Sequence, residues 1–520
     1  MAVTEVEYRL DKDISDSEMT ECELATIDGT GNATKSERKN GPKADRRRFL
    51  LKLMMTSFSY YPHSCCGLLL GSGGPAFLDL IQITNSNVEE GSIFFTAQYL
   101  GILVMGTVVG TLYDRFKAEP LMFASICMTA GINIAIPYCS SSMWLMAVVN
   151  GLKGATMGII FTGCGVIVVR VWGKKDGGPY MQALHFAYSV GGVIAPFIMR
   201  PFLAPRYEVA LNNQTYNETL KVLPHVSGER KTVNNVTMVN YFGDTHVQNG
   251  FLIIGLITLT SAFPFLIMIL RRYHVTPHYY DQDLAAPAET EQVKAEVSSG
   301  GRRLTIPLRA AFLVFIVLYY ILIVAVETLF QNYSMTFVVE HLKWTKTKGT
   351  QISSVFWGAF SFGRFQGIFT ANLLTAWKML VVDFVFLSGA VIVLLIGAEK
   401  SDAVVWICLS VAGVFIASLY ATGVSYTQQR IMTITGKIYA TFMMSATSGA
   451  MINPLILGTL IEKFSPMWFV YLSVIITALC VIVFAILSVM VLKWGKKADP
   501  DYEGLLDRAV GKCIADCRRS

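Results

Sequence analysis

Apolar and polar positions run along this chain in long blocks. Six apolar segments lie at about 52–80, 92–113, 120–138, 142–170, 180–204 and 248–270, and six more at about 306–338, 350–372, 378–397, 403–427, 438–461 and 467–492. About 20 apolar residues make a helix long enough to cross a hydrocarbon core of about 30 Å. The pattern predicts an all-α membrane protein of about twelve transmembrane helices, arranged as two six-helix halves. The order is then a tail (1–48), an N-terminal half (49–270), a polar central loop (271–305), a C-terminal half (306–492) and a second tail (493–520). The first tail is acidic early (Glu5, Glu7, Asp11, Asp13) and basic late (Arg46, Arg47, Arg48), and reads as disordered because it holds too little apolar surface to offset ordering. It carries no signal-peptide pattern, so the first apolar run is expected to serve as the anchor.

Charge sets the orientation. With the N-terminus inside, Arg115, Lys117, Arg170, Lys174, Lys175, Arg271, Arg272, Arg302, Arg303, Arg430, Lys437, Lys493, Lys496 and Lys497 all fall in inside loops. The short outward connections after spans 1 and 3 have no Lys or Arg. The positive-inside bias makes both termini cytoplasmic. Three sequons, at Asn213, Asn217 and Asn235, fall in the long loop at 205–247 that this topology places outside, and glycosylation is expected there.

Composition narrows the function. Charged residues make up 15% of the 520, against about 25% in soluble proteins, which leaves no room for a catalytic or nucleic-acid-binding domain. The net charge of +6 is accounted for by Lys and Arg beside the membrane, so no nucleic-acid partner is expected. The ten cysteines form no framework, and the long outward loop has none. There is no zinc motif, P-loop or nucleophile elbow. An enzyme, a resident metal or cofactor, and an ATP-driven pump are therefore not expected. A monomer embedded in the lipid bilayer that handles a small solute is.

Polar groups inside spans are costly, about 2.5–3.5 kcal/mol for a central charge on insertion scales, so they mark function or a structural need. Segment 7 places Glu327, Gln331 and Ser334 on one face, with Asn332 beside them. A carboxylate with amides and a hydroxyl can hold a cation, bind sugar hydroxyls, or form a polar interhelical contact. Segment 5 offers Gln182, His185 and Ser189, and segment 8 offers Trp357, Ser361 and Arg364. Trp357 could stack on an apolar sugar face. Arg364, toward the inner end, is assigned to gating or to pairing with a carboxylate. Asn150 and Lys153 lie in segment 4, Gln98 in segment 2, Asn453 in segment 11 and Asp383 in segment 9. Glu327 is read as the cation-coupling residue, with Asp79 at the outer end of segment 1 as a second ligand if helix 1 breaks near Gly71, Gly73 and Gly74. Gln182, His185, Gln331, Asn332, Trp357 and Asn150 are read as lining the substrate site. Small residues at four-residue spacing, such as Gly106 with Gly110 and Gly154 with Gly158, allow close helix approach.

Gly110-Thr111-Leu112-Tyr113-Asp114-Arg115-Phe116-Lys117 resembles the major facilitator superfamily signature between spans 2 and 3. In that family the turn latches the inner gate, which implies gating roles for Gly110, Asp114 and Arg115. Tyr113 replaces the usual small residue, and Asn150 stands where the span-4 signature has Arg. Gly73-Gly74-Pro75-Ala76-Phe77-Leu78-Asp79-Leu80, Gly178-Pro179-Tyr180-Met181-Gln182-Ala183-Leu184-His185-Phe186, Phe356-Trp357-Gly358 and Phe362-Gly363-Arg364 look like the sodium-dependent glucose transporter 1 branch, related to bacterial fucose permeases. The resemblance covers most of residues 50–492 and implies the major facilitator fold and hexose transport with sodium as co-substrate. Bacterial relatives use an acidic residue in helix 4 for proton coupling, and none lies between Trp144 and Arg170. Two other readings stay open: a carrier of another small polar solute, and a membrane sensor or accessory protein of the same fold. The location expected is the plasma membrane. The tail pattern Asp501-Tyr502-Glu503-Gly504-Leu505-Leu506 adds some endosomal cycling.

Overall fold

The computed structural model describes residues 42–176, 178–212, 231–233, 236–271, 306–432, 434 and 436–494. Residues 1–51 and 52–520 form separate units, and the described part of the first is the helical stretch 42–51.

Twelve helical crossings follow. Span 1 is two helices, α1 (Pro42–Gly71) and α2 (Gly73–Ile83), bent by 48° at Ser72. The break has a local cause. Pro75 has no N–H to give the carbonyl of Gly71 four residues back, and its ring crowds that carbonyl. The next spans are α3 (Val88–Arg115), α4 (Ala118–Ala135), α5 (Met143–Asp176) and α6 (Gly178–Met199). Span 6 is interrupted in the same way: α7 (Val247–Thr260) stops four residues before Pro264, and α8 (Phe263–Leu270) resumes. The second half comprises α9 (Ile306–Glu340), α10 (Lys346–Leu373), α11 (Ala376–Gly397), α12 (Asp402–Arg430), α13 (Gly436–Lys463) and α14 (Trp468–Trp494). An even number of crossings returns the chain to the side where it began.

Among the described residues, ten helical stretches, with α7 and α8 counted as one, are long and apolar enough to span a membrane, and the bent α1–α2 pair makes an eleventh. The twelfth, α10, has the length, but Lys346, Lys348, Gln351, Ser353, Ser354, Ser361 and Arg364 make it too polar to qualify on its own.

The body is all-α. The outward loop adds a three-stranded antiparallel sheet, ordered β1 (Arg206–Asn212), β3 (Val236–Phe242), β2 (Lys231–Val233). Asn213, Asn217 and Asn235 lie outside the described residues, as do 272–305, 1–41 and 495–520; the end of the first tail, expected to be disordered, is helical from residue 42 as the start of α1.

The halves meet tightly at their outer ends. Glu89 accepts from Thr459 at 3.0 Å and pairs with Lys463 at 3.3 Å. The Val88 N–H donates to Glu462 at 3.0 Å, and Tyr333 donates to Ser92 at 2.6 Å. A Cβ on Gly458 would lie 2.1 Å from the Ser92 hydroxyl, and one on Gly74 would lie 2.6 Å from the Gln331 carbonyl, so only glycine admits this closure. Contact between α3 and α13 still holds at Thr96, which donates to the Met451 carbonyl at 3.0 Å. Further inward the surfaces stand open. Val104, Thr107 and Val108 on α3 are exposed, as are Ala440 and Met444 on α13. No atom lies within 4 Å of a Cβ built on Gly106 or Gly110. The α3–α13 seam is therefore closed at its outer end and parted at its inner end.

Candidate functional site

The polar residues of spans 1, 2, 5, 7 and 8 converge where the closed part of this interface ends. On α9, Gln331 donates from Nε2 to Glu327 Oε1 at 2.9 Å, the contact that i, i+4 spacing allows. Gln331 and Asn332 are buried, while Glu327 keeps partial access. Asn453 of α13 ties the adjacent turn by donating to the Ala325 carbonyl at 3.0 Å. Tyr99 of α3 faces the Asn332 side chain.

Arg364 comes from α10. It donates to the His185 carbonyl at 2.7 Å, and its guanidinium lies 4.4 Å from the Phe360 ring centre and 5.4 Å from that of Tyr188. Planarity lets it stack in this way. Glu327 and Arg364 lie within electrostatic reach of one another but form no direct ion pair. Together they present a hydrogen-bond acceptor and a donor, a combination that suits a solute bearing hydroxyls.

Aromatic rings wall the site. His63 of α1 packs at 5.3 Å from Phe161, 5.8 Å from His185 and 5.9 Å from Tyr188, and its buried Nδ1 has no protein partner. Trp357 packs edge-on to Tyr188 at 5.8 Å, and a Cβ on Gly192 would lie 2.2 Å from its Cε3 atom. In this outer-closed form the Trp357 face is therefore covered by backbone, and its Nε1 is an unpartnered donor at the wall.

Other residues singled out by sequence have different surroundings. Gln182 is exposed one turn inward of His185. Asn150 returns its amide to the Met146 carbonyl of its own helix at 2.9 Å. At the inner gate Gly110 and Arg115 are exposed, while the Asp114 side chain lies outside what is described. Arg364 sits in the central cluster, not at the gate.

Asp79 requires a correction. Helix 1 does break at Ser72, but Asp79 is not free to share a cation with Glu327. Both its oxygens are occupied: Oδ1 by Lys346 Nζ at 2.5 Å, Oδ2 by the Ala204 N–H at 2.7 Å and by Thr245. Asp79 is 0% and Lys346 4% exposed. The pair joins spans 1 and 8 across the halves, beside an outer cleft of about 700 Å³ lined by Arg200, Pro201, Ala204, Thr345 and Thr347. Sequence reading missed His63, Tyr99, Tyr188 and Lys346. Hydroxylated rings and a second histidine within spans were the available signal.

Residues 63–209 match the family model described as the Major Facilitator Superfamily. The crystal structure of a mutant of the nucleoside transporter NupG superposes with a TM-score of 0.56 at 12% identity, covering 85% of this chain and 99% of that one. A bacterial homolog of the human lysosomal transporter Spinster, in an inward-facing and occupied conformation, gives 0.58 at 11% identity over 87% and 99%. The fold is that of the major facilitator superfamily. Sodium-dependent glucose transporter 1A of Mus musculus is 28% identical over 398 residues, 76% of this chain and 86% of that protein. The chain is thus a multi-pass membrane protein that shares its fold with the two solved transporters.

Proposed function

We propose that this chain carries a glucose-like hexose across the membrane by alternating access, with sodium as co-substrate. What supports the reading is the Glu327–Gln331 pair within electrostatic reach of Arg364, set inside the membrane-spanning body where the contacts between α3 and α13 end. A scaffold or sensor has no use for so costly a polar interior. Asn332, Tyr99 and His185 complete the polar wall, with Gln182 on the way in. Trp357 becomes available to a sugar face when the outer ends separate. The name of the mouse relative supports both hexose and sodium. Plasma-membrane residence belongs to the same proposal.

Glu327 serves as the coupling carboxylate, since one of its oxygens is free of Gln331. Uptake of radiolabelled glucose at fixed concentration, titrated with sodium, tests this. Glu327→Gln keeps the shape and removes the charge, so sodium dependence disappears while slow facilitated uptake remains. Glu327→Asp retains partial activity with weaker sodium affinity. A wild-type sodium response in the Gln variant removes Glu327 from coupling. A panel of hexoses and polyols tests the substrate class.

A further inference from the structure

Asp383 takes no part in the central site. It sits in α11, two turns from the helix start, and is 6% exposed. Its Oδ2 accepts from the Ser418 hydroxyl of α12 at 2.7 Å. Among the described residues no Lys or Arg pairs with it. The other ionisable group beside it is Tyr319, whose hydroxyl is committed to the Leu419 carbonyl at 3.0 Å. A carboxylate in a span without a counter-charge is expensive.

The carboxylate opens on a cavity of about 30 Å³ between α10, α11 and α12, lined also by Gln366, Gly367, Thr370, Met379 and Ser418. About 10–15 Å³ of such space holds one water, so this cavity admits a water or a bare monovalent ion but no organic solute. Gln366 Nε2 donates to Thr370 Oγ1 at 3.1 Å, which groups these oxygens on one wall.

The other half shows that the space is built. Gly110 precedes Tyr113 at the end of span 2 as Gly367 precedes Thr370 at the end of span 8. Nine residues on stand Met122 and Met379, and thirteen on stand Ile126 and Asp383. In the N-terminal half Tyr113 fills the pocket. Its hydroxyl donates to the Ile159 carbonyl at 3.1 Å and lies 3.1 Å from the Met122 sulfur, and a Cβ on Gly163 would come within 2.0 Å of it. The C-terminal half replaces the plug with Thr370 and an apolar wall residue with Asp383. A Cβ on Gly367 would only graze Ser418, at 4.0 Å.

We propose that Asp383, Ser418, Thr370 and Gln366 form a binding site for one sodium ion in the C-terminal half. Asp383 supplies the charge, and the two hydroxyls and the amide oxygen supply neutral ligands. A single carboxylate suits a monovalent ion, whereas divalent sites gather several. The site is separate from Glu327 and does not rest on coupling there.

Equilibrium binding of ²²Na⁺ to the purified full chain in detergent tests it. Asp383→Asn should lose one equivalent of sodium. Thr370→Tyr, which recreates the plug of the other half, should lose the same equivalent with Asp383 intact. Ser418→Ala should weaken it roughly tenfold, the scale of one hydrogen-bonding group to a charge. Glu327→Gln keeps this equivalent whether or not Glu327 binds its own ion, so the two readings fail separately. Wild-type sodium stoichiometry and affinity in Asp383→Asn and Thr370→Tyr, with normal gel-filtration profiles, overturn the proposal. If Asp383→Asn does not purify, Thr370→Tyr and Ser418→Ala decide it on the same criterion.

Discussion

Removing Lys346 should push the molecule toward its outward-open form. The Asp79 carboxylate is fully buried, and Lys346 is its cationic partner across the halves. In Lys346→Met the carboxylate keeps the Ala204 N–H and Thr245 but loses its counter-charge. Leaving a buried charge unpaired costs about 3–5 kcal/mol. That cost falls on the outer-closed state, where Asp79 is dry, and is relieved once the halves part and water reaches it. At about 1.4 kcal/mol per factor of ten, the equilibrium moves outward by about 100-fold or more. Ala204 is buried and lines the outer cleft, so a cysteine there reports opening. Cys139 is partly exposed and should be replaced by serine first. Labelling of Ala204→Cys on intact cells by an impermeant thiol reagent should accelerate strongly in Lys346→Met. The double variant Asp79→Asn with Lys346→Met should label more slowly than Lys346→Met alone, because no charge is stranded. Equal labelling of wild type and Lys346→Met, or no recovery in the double variant, refutes the reasoning.

Three further outcomes are expected. Gly192→Val drives a side chain into Trp357 and should cost about 1–3 kcal/mol by overpacking, read as a lower melting temperature and reduced uptake, with partial rescue by Trp357→Leu. Arg364→Lys keeps the charge but loses the stacking on Phe360 and Tyr188, so uptake should fall at least tenfold at equal surface expression; near-normal uptake would reduce Arg364 to a point charge. An epitope after Gln214 should stain intact cells while terminal tags should not, and loss of Asn213, Asn217 and Asn235 should increase gel mobility; terminal staining without permeabilisation would reverse the topology.

Most spans were legible because a bilayer demands some 20 apolar residues of a crossing, and α10, the most polar of them, was legible only by its place in the series. The break in span 1 was legible too, in Gly71, Gly73, Gly74 and Pro75. The partner of Asp79 was not, since Lys346 lies 267 positions away and reads locally as a helix-start lysine. For Arg364 the sequence shows distance along α10 but not side-chain direction, so gating and pairing with a carboxylate stay open there, and the structure puts it within reach of Glu327. The loop sheet was overlooked although Val236-Thr237-Met238-Val239-Asn240-Tyr241-Phe242 has strand-forming composition. Its strands are short, and their pairing is decided by partners, not by period.

The sheet in the outward loop ends where it can bear on the transport cycle. After β3 the chain passes Gly243, whose carbonyl accepts from Gln82 at 2.9 Å, and reaches Thr245, which holds Asp79. Across β1 it leads back to Ala204, which holds the other side of the same carboxylate oxygen. Both strands of one antiparallel pair therefore pull on a single interhalf latch. An antibody fragment that clamps β1 against β3 would stiffen both tethers at once, and would act as an external brake on a cycle whose cargo path it never touches.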